Sequence, residues 1–304
     1  ASFTLVLTSQ PTADVTVNVA YSNGADAAND STVSAASLTF TAANWNVPQT
    51  VTITAIDDAL DEAATENELI THSLTTTAPE YTAAPFTGGG GAAANEVSIT
   101  INDNDAAGVA ISKATASVNE AGATSDSYAV VLTAEPTADV TINLIYSDGA
   151  DATDDSTVSL ASLTFTPLDW LAPQTVTVTA IDDLLAEAVI ENDELVTHSI
   201  TTLAPEYAAA PFSGGGGAAS NEVAISIQDN DTAGIVLSKA TVIVSEAGPS
   251  TDTYTLVLTS QPTANVTIDL VYANGADATD DATVGVASVS FTPADWNLPQ
   301  TVTV

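Results

Sequence analysis

Acidic side chains collect in short groups where predicted strands end, a pattern typical of sites for hard cations. In the central part of the chain these groups are Glu120, Asp154-Asp155, Asp182-Asp183, Glu187, Glu191 and Asp229-Asn230-Asp231. Carboxylates that lie close together without Lys or Arg repel one another, and a bound divalent cation removes that repulsion. Calcium accepts six to eight oxygen ligands, whereas zinc and copper favour His or Cys and magnesium retains more water. The groups therefore predict calcium sites. The alternative is that they are solvated loop ends that keep the chain soluble.

The charge balance excludes several classes of partner. The 304 residues include 39 Asp and Glu against 2 Lys and Arg, which gives a formal net charge of -37. Nucleic acids and anionic membranes bind proteins largely through cationic side chains, so neither is expected as a partner. Hydrophobic residues make up 45% of the chain, which predicts a folded core. No apolar run approaches the ~18 residues of a membrane helix, and the absence of Cys excludes disulfides and thiolate chemistry.

The chain consists of internal repeats with a period of 126 residues. This offset relates His72 to His198, Asp105 to Asp231, Lys113 to Lys239, Glu120 to Glu246 and Trp170 to Trp296. One residue is missing from the first copy between Asn67 and Glu68, so Trp45 precedes Trp170 by 125 residues. The predicted units are residues 1–105, a partial first copy without its N-terminal strands, 106–231, a complete second copy, and 232–304, a partial third copy without its C-terminal strands. Such a series is expected of a window on a longer tandem array.

Alternation of β-branched with small or polar residues predicts an all-β fold. The complete copy has seven predicted strands, at 108–119, 126–133, 139–146, 156–166, 174–181, 194–202 and 221–228. Val176, Val178 and Ala180 are expected on the buried face of the fifth strand, with Thr residues between them on the other face. No segment has a helical period. About seven short strands and one Trp per 126-residue unit favour tandem immunoglobulin-like antiparallel β-sandwiches, with Trp170 in the core.

One connection in the repeat is long. Residues 203–220 and their counterpart 77–94 are rich in Pro and Gly, and loops of this length are usually functional or mobile. Tyr207 and Phe212 within it are expected to pack against the same sandwich or against a neighbouring chain. The Gly-rich stretches 88–91 and 214–217 lack the Lys-Ser/Thr of a phosphate-binding loop.

An ordered set of motifs resembles the Calx-beta domain. The set consists of Val118-Asn-Glu120, a turn at Asp148-Gly149, the Val-x-Val strand that closes at Asp182-Asp183, Glu187, and Asp229-Asn-Asp231. The phrase from Leu163 to Trp170, continued from Pro173 to Asp183, is similar to the tandem Calx-beta-like repeats of large bacterial surface and secreted proteins. The resemblance covers the whole chain and its individual motifs are short.

The resemblance implies an immunoglobulin-like sandwich that binds calcium at the pole where successive domains join. In the complete copy the implied ligands are Glu120, Asp155 (or Asp154), Asp182, Asp183, Glu187, Asp229 and Asp231. Their partial counterparts are Asp30, Asp57, Asp58, Glu62, Asp103 and Asp105 in the first copy, and Glu246 and Asp281 in the third. Asp61 of the first copy is replaced by Ala186 in the second, so this position is not essential to every site.

Two other constellations have simpler explanations. His72 and His198 lie in Thr-His-Ser on a predicted strand, and without a nucleophile-elbow motif they are expected to be half-buried structural residues. Lys113 and Lys239 are expected to be exposed or edge-strand residues. The alternative for them is an intramolecular isopeptide bond to an Asn such as Asn221 or Asn95. No enzymatic activity is expected.

Taken together, these features predict a structural segment of a long extracellular or cell-surface bacterial protein. Calcium is expected to neutralise carboxylates at each junction between repeats and to convert a flexible chain into a rod. The expected partners are neighbouring repeats of the same chain, with lateral self-association into a fibre as a further possibility. The alternative function is an adhesin or carbohydrate-binding module that uses the Pro/Gly-rich loops.

Overall fold

The computed structural model describes residues 1–22, 30–148, 155–192, 194–216, 219–248, 250–273 and 281–304. Over these residues the protein consists of β-strands and one short 3-10 helix, with no α-helix. The strands form several mostly antiparallel sheets, which confirms the predicted all-β class.

The strands are numbered in chain order. In the first copy they are β1 (Ser2–Leu5), β2 (Val15–Ser22), β3 (Ser31–Val33), β4 (Ser37–Phe40), β5 (Gln49–Ala55), β6 (Glu66–Thr76) and β7 (Glu96–Ile101). In the second copy they are β8 (Val109–Ile111), β9 (Thr115–Asn119), β10 (Ser125–Leu132), β11 (Val140–Ser147), β12 (Ser156–Val158), β13 (Ser162–Phe165), β14 (Gln174–Ala180), β15 (Leu195–Thr202), β16 (Phe212–Ser213) and β17 (Glu222–Gln228). The 3-10 helix spans Pro205–Tyr207, and the third copy contains β18 (Ile235–Leu237), β19 (Thr253–Leu258), β20 (Val266–Asp269), β21 (Ser288–Phe291) and β22 (Gln300–Thr303).

The second copy is an immunoglobulin-like sandwich of two five-stranded sheets. Their strand orders are β12-β14-β10-β8-β16 and β13-β11-β15-β17-β9. The pairs β16 with β8 and β17 with β9 are parallel, and the others are antiparallel. Each of the seven predicted runs contains a strand. Two runs are divided, because β8 and β9, and likewise β12 and β13, lie in opposite sheets.

The partial copies contain subsets of the same sheets. The first copy forms β1-β5-β3 and β4-β2-β6-β7, and the third forms β18-β19-β22 and β20-β21. Residues 241–245 of the third copy correspond to β9 but form no strand. In the second copy β9 pairs with β17, and residues 232–304 contain no counterpart of β17. The boundaries of the three units remain a prediction.

Apolar side chains fill the space between the two sheets of the second copy. Val176, Val178 and Ala180 of β14 are buried, which confirms the predicted inward face of that strand. The largest fully buried side chains of this copy are Tyr128, Phe165, Tyr207 and several Ile and Leu residues. Trp170 is only partly buried and packs against the edge of this core. The prediction that Trp170 fills the core is therefore wrong, because Tyr and Phe occupy its centre.

The long loop of the second copy is anchored to its own sandwich. The Tyr207 side chain is fully buried, and its hydroxyl donates to the Ala134 carbonyl at 2.6 Å and accepts from the Ala134 N–H at 3.1 Å. Phe212 begins β16, which pairs with β8. Of the two expected roles for these aromatic residues, the structure supports packing against the same sandwich. Gly217 and residue 218 lie outside the described residues.

His198 is a buried structural residue. Its Nδ1 lies 2.8 Å from the Asn221 carbonyl, which can only accept, so Nδ1 carries the proton. Its Nε2 therefore accepts from the Tyr128 hydroxyl at 2.9 Å. Burial lowers the pKa of His198, which keeps the ring neutral. The side chain is fully buried rather than half-buried, and its partners are a phenol and a backbone carbonyl.

His72, the counterpart in the first copy, lacks the phenol. Phe3 occupies the place of Tyr128 and meets the His72 ring edge-on at 5.3 Å. The buried His72 Nε2 has no hydrogen-bond partner among the described residues. The two copies thus form a natural pair that differs by one hydroxyl.

We expect Phe3→Tyr to stabilise the first copy by about 0.5–1.5 kcal/mol, the net value of one hydrogen bond. Tyr128→Phe should cost the second copy about 1–3 kcal/mol, because it leaves the His198 Nε2 buried and unpaired. Hydrogen exchange of backbone amides in the full chain measures the local stability of each copy separately. Unchanged exchange in both variants would contradict the assigned tautomer and its hydrogen bond.

Both lysines form ion pairs. Lys113 Nζ contacts Asp126 Oδ1, and Lys239 Nζ lies 2.5 Å from Asp252 Oδ1. The Asn221 amide donates instead to the His198 carbonyl at 2.8 Å, and the Asn95 amide donates to the His72 carbonyl at 2.9 Å. Neither Asn meets a lysine, so the isopeptide alternative to Asn221 or Asn95 is wrong.

Candidate metal centre

The sheet topology brings the acidic groups of the second copy to one pole. The strands β9 and β17 are parallel and Asn119 pairs with Gln228, so the residues that follow them, Glu120 and Asp229, emerge side by side. The strands β12 and β14 are antiparallel and Ser156 pairs with Ala180. Asp155, just before β12, therefore lies near the segment that follows β14 and carries Asp183. Pairing of strands that are more than 100 residues apart thus brings these acidic residues together.

Two sets of carboxylates share Glu120. In one set Glu120, Asp155 and Glu187 each place an oxygen within 4.8 Å of the others, and in the second set Glu120, Asp229 and Asp231 do so. Glu120 is 1% exposed and Asp155 is 2% exposed. Because calcium binds oxygens at about 2.4 Å, one ion can touch oxygens up to about 4.8 Å apart. Glu120 thus lies at the centre of an oxygen-lined site.

Some of these acids also hold the surrounding backbone. Asp229 accepts from the Asp231 N–H at 2.7 Å through Oδ1 and from the Glu187 N–H at 2.8 Å through Oδ2. Asp183 accepts from the Leu185 N–H at 2.7 Å. Because each carboxylate oxygen has further lone pairs, these bonds fix the loops and still leave the acids able to bind a cation.

The first copy brings together the counterparts of Asp155, Glu187 and Glu191. Asp30, Glu62 and Glu66 place oxygens within 4.8 Å of one another. A narrow crevice of about 30 Å³ is lined by these three and by Asp58, Asp103 and Asp105. Its hydrogen bonds also repeat, since Asp103 accepts from the Asp105 N–H at 2.9 Å and from the Glu62 N–H at 3.0 Å.

Five predicted ligands lie outside these sets and outside the first-copy crevice. Asp183 accepts a hydrogen bond from the Leu185 N–H, and the other four are exposed. Asp57 and Asp182 are exposed, and Asp182 accepts instead from the Asn230 amide at 2.9 Å. Glu246 and Asp281 are exposed and line a wide crevice of the third copy, which contains no counterparts of Glu187, Asp229 and Asp231. Asp154, the alternative to Asp155, and Gly149 of the predicted turn lie outside the described residues.

Glu66 and its counterpart Glu191 also lie at these sites, although the resemblance did not imply them as ligands. Glu66 belongs to the first-copy set, and Glu191 hydrogen-bonds Asp155. Glu191 stands among the acidic groups in the sequence, so the grouping itself was the available signal. Behind the site, the buried Glu194 accepts from the Tyr146 hydroxyl and from Ser156 Oγ at 2.7 Å. These partners make Glu194 a structural acid. Its first-copy counterpart Glu68 has the same role, since it accepts from the Tyr21 hydroxyl and from Ser31 Oγ.

The electrostatics of the pole favour a cation. Burial is the main cause that raises the pKa of Glu120 to about 8, and repulsion from the Asp229 carboxylate is the second. Burial and the Glu187 charge raise the pKa of Glu191 to about 7. The pKa of Asp231 is also raised, by burial and by Asp229. Both lysines are paired elsewhere, with Asp126 and Asp252, so these charges repel without compensation from the protein.

Two buried oxygens at these sites lack a partner. Glu120 Oε2 and Asp30 Oδ2 have no hydrogen-bond partner among the described residues, although Glu120 is 1% exposed and Asp30 is 5% exposed. A buried, unpaired carboxylate oxygen is costly. A divalent cation bound beside these oxygens would remove that cost, and the all-oxygen surroundings fit a hard ion. The buried acidic clusters could therefore each hold a metal ion.

Without a cation, stability is expected to fall as pH rises from about 5 to 8. The pKa of Glu120 is about 8 in the folded protein against an ordinary value of 4.5. Over this range the folded state retains a proton that the unfolded state has lost, so the free energy of unfolding decreases with pH. Excess calcium should reverse this trend, because it binds the ionised form. Melting curves in chelator and in calcium test this, and a flat profile in chelator would contradict it.

Similarity to known proteins is found among solved structures. No protein-family model and no curated protein matches the chain. Among solved structures, the chain is similar to the crystal structure of CBD12 from CALX1.2, with 14% identity and a TM-score of 0.33 over 75% of this chain and 93% of that one. At that distance it adds nothing to the fold described above. No helix in the described residues is long and apolar enough to span a membrane.

Proposed function

We propose that this chain is a structural segment of a long extracellular bacterial protein, stiffened by calcium bound at the acidic pole of each repeat. The observation that carries the proposal is the Glu120 carboxylate. It is 1% exposed, lies within reach of four other carboxylates and has one oxygen without a partner. A bound cation would satisfy this oxygen and offset the repulsion among the neighbouring carboxylates.

The chemistry of the donors favours calcium over other divalent ions. The grouped ligands are carboxylates, with no Cys in the chain and with His198 occupied by Tyr128 and Asn221. Zinc and copper therefore lack their preferred ligands. Magnesium retains most of its water and uses one or two carboxylates, whereas calcium accommodates many carboxylate oxygens in flexible geometry.

The positions of the ligands support the proposed structural role. Asp229 and Asp231 end the second copy, and β18 of the third copy begins four residues later, at Ile235. Glu120 and Asp155 belong to the body of the sandwich. When bound, calcium would supply a positive charge shared between the acids that end the second copy and the acids in the body of its sandwich. The residues themselves orient the link between repeats by the hydrogen bonds that Asp229 accepts from Glu187 and Asp231.

The extracellular setting is supported by composition and by repetition. A chain without Cys or Met is insensitive to sulfur oxidation, and extracellular calcium is abundant enough for weak sites to be occupied. Repeats of similar sequence arranged in series are a common means of building an extended stalk. The partners in this proposal are neighbouring repeats, with lateral association of chains into a fibre.

Calcium titration with a measurement of shape tests this function. We expect isothermal titration to detect calcium binding to the full chain. We also expect small-angle scattering to show a longer, narrower particle in calcium than in chelator. Magnesium at the same concentration is the control for ionic strength and should have little effect. Absence of calcium binding would overturn the proposal, and binding without a change of shape would leave an ion site but remove the stiffening role.

A further inference from the structure

The segment that follows β14 contacts the next repeat through its main chain. We call this segment, residues 182–187, and its first-copy counterpart, residues 57–62, the docking loop. Its two ends carry acids, which are Asp182, Asp183 and Glu187 in the second copy and Asp57, Asp58 and Glu62 in the first. Its middle, residues 184–186 and 59–61, is apolar or small apart from Asp61 and reaches across the junction. The same contact occurs at both junctions of the chain.

At the first junction the docking loop makes three contacts. The Glu135 N–H donates to the Ala59 carbonyl at 2.7 Å. Leu60 and Glu135 form a parallel β-bridge. The Ala107 N–H, at the start of the second copy, donates to Asp61 Oδ2 at 2.7 Å. The first copy thus holds both the turn between β10 and β11 and the chain just before β8.

At the second junction the main-chain contacts recur one repeat later. The Gln261 N–H donates to the Leu184 carbonyl at 2.6 Å, and Leu185 forms a parallel bridge with Gln261. The third contact has no equivalent side chain, because Ala186 replaces Asp61. Main-chain pairing is common to the two junctions, whereas the carboxylate contact is specific to the first.

Acids at the same pole hold the docking loop in shape. In the first copy Asp58 accepts from the Leu60 N–H at 3.0 Å, and Asp103 accepts from the Glu62 N–H at 3.0 Å. In the second copy Asp183 and Asp229 make the same bonds to Leu185 and Glu187, at 2.7 and 2.8 Å. An ion that orders these carboxylates therefore also orders the carbonyl and the bridge that meet the next repeat.

We propose that the docking loop is the interaction surface by which each repeat binds the next, and that cation binding strengthens this docking. The partner is the following copy of the repeat, recognised through the N–H at the start of its β10–β11 turn. The linkage to the cation rests on the proposed function, whereas the docking itself does not. A second consequence is that the first junction is stiffer than the second, because Asp61 adds a contact that Ala186 lacks.

Spin labels can measure each junction separately, because the chain has no Cys. Thr50, Thr175 and Thr301 are exposed residues at equivalent positions of the three copies. Cys substitutions at Thr50 and Thr175 report the first junction, and those at Thr175 and Thr301 report the second. The width of the distance distribution measures how firmly the repeats are docked. We expect a narrower distribution at the first junction, and narrowing at both when calcium is added.

Proline substitutions remove the donor N–H without adding charge. Glu135→Pro should broaden the distribution only at the first junction, and Gln261→Pro only at the second. Loss of one hydrogen bond shifts the docked-to-undocked ratio by about fivefold. Gln10→Pro is the matched control, since Gln10 is the first-copy counterpart and residues 1–304 place no docking loop before it. It should leave both distributions unchanged, which separates docking from any effect of proline on the sandwich.

A side-chain exchange gives a second, independent test. Asp61→Ala should broaden the distance distribution at the first junction, and Ala186→Asp should narrow the distribution at the second. Unchanged widths in the proline variants and in this exchange would overturn the docking proposal, whatever the calcium titration shows. If calcium does not bind but the variants alter the widths as expected, the docking surface stands and the calcium-based function fails. If calcium narrows the distributions equally in parent and proline variants, the linkage between ion and docking is wrong.

Discussion

Glu120→Gln is expected to stabilise the protein in chelator and to remove most of the stabilisation that calcium provides. Glutamine has nearly the same shape but no charge, so the cost of burying an unpaired carboxylate disappears. That cost is on the order of 1–3 kcal/mol for a buried group without its partners. The same change removes the acid shared by both carboxylate sets of the second copy. Calcium affinity there should fall at least about 10- to 100-fold.

Melting curves with and without calcium measure both effects. Asp139→Asn is the control, because Asp139 is exposed and lies outside the carboxylate sets, so this variant lowers the charge by the same amount. It should leave both melting temperatures nearly unchanged. An increase in chelator without any loss of calcium response would show that Glu120 is a strained acid but not a ligand. Destabilisation in chelator would contradict the assignment of Glu120 Oε2 as an unpaired atom.

Tyr207→Ala is expected to have the largest effect on stability, about 3–5 kcal/mol in the second copy. The side chain is fully buried, and its hydroxyl holds both polar groups of the Ala134 backbone. Tyr207→Phe keeps the ring, so it should cost about 1–3 kcal/mol, the penalty for unpaired buried groups. In the first copy Tyr81→Ala should act similarly, since Tyr81 is 6% exposed and donates to the Ser9 carbonyl at 2.6 Å.

Hydrogen exchange of the second-copy amides in the full chain tests this prediction. Leu203→Ala is the matched control in the same loop, because Leu203 is 92% exposed and should tolerate the change. Protection that survives Tyr207→Ala would show that the loop is dispensable for folding. The result also bears on an adhesive role for the loop. If Tyr207 is essential, deleting residues 203–220 unfolds the repeat, and only surface substitutions can test recognition of a target.

The sequence predicted the strands well because the period of two is local. The alternation from Thr175 to Ala180 is sufficient to assign the inward face of β14. The division of residues 108–119 into β8 and β9 was not predictable in the same way. Those two strands are fixed by β10 in one sheet and by β17 in the other, and β17 lies more than 100 residues later. Local alternation carries no information about which sheet a strand joins.

The same distinction applies to the candidate metal centre. Acids that follow strands, such as Glu120 and Asp229, were identified because the end of a strand is visible in the sequence. Glu66 was missed because it begins β6, and its side chain reaches the site only through the path of the first-copy sheets. Asp182 was included with Asp183, yet it is exposed and accepts from the Asn230 amide at 2.9 Å. Proximity in sequence therefore predicted some ligands that lie outside the carboxylate sets and failed to predict others that lie within them.

The parallel pairing of β9 with β17 determines how a repeat bears a mechanical load. The ladder runs from Thr115 with Ala224 to Asn119 with Gln228. Tension transmitted along the chain pulls β9 towards its N-terminus and β17 towards its C-terminus, so the two strands are pushed past each other along their length. In this shear geometry the hydrogen bonds must break together, whereas an antiparallel hairpin pulled at its open end unzips one bond at a time. The β9–β17 pair of the second copy is thus arranged to resist extension in shear.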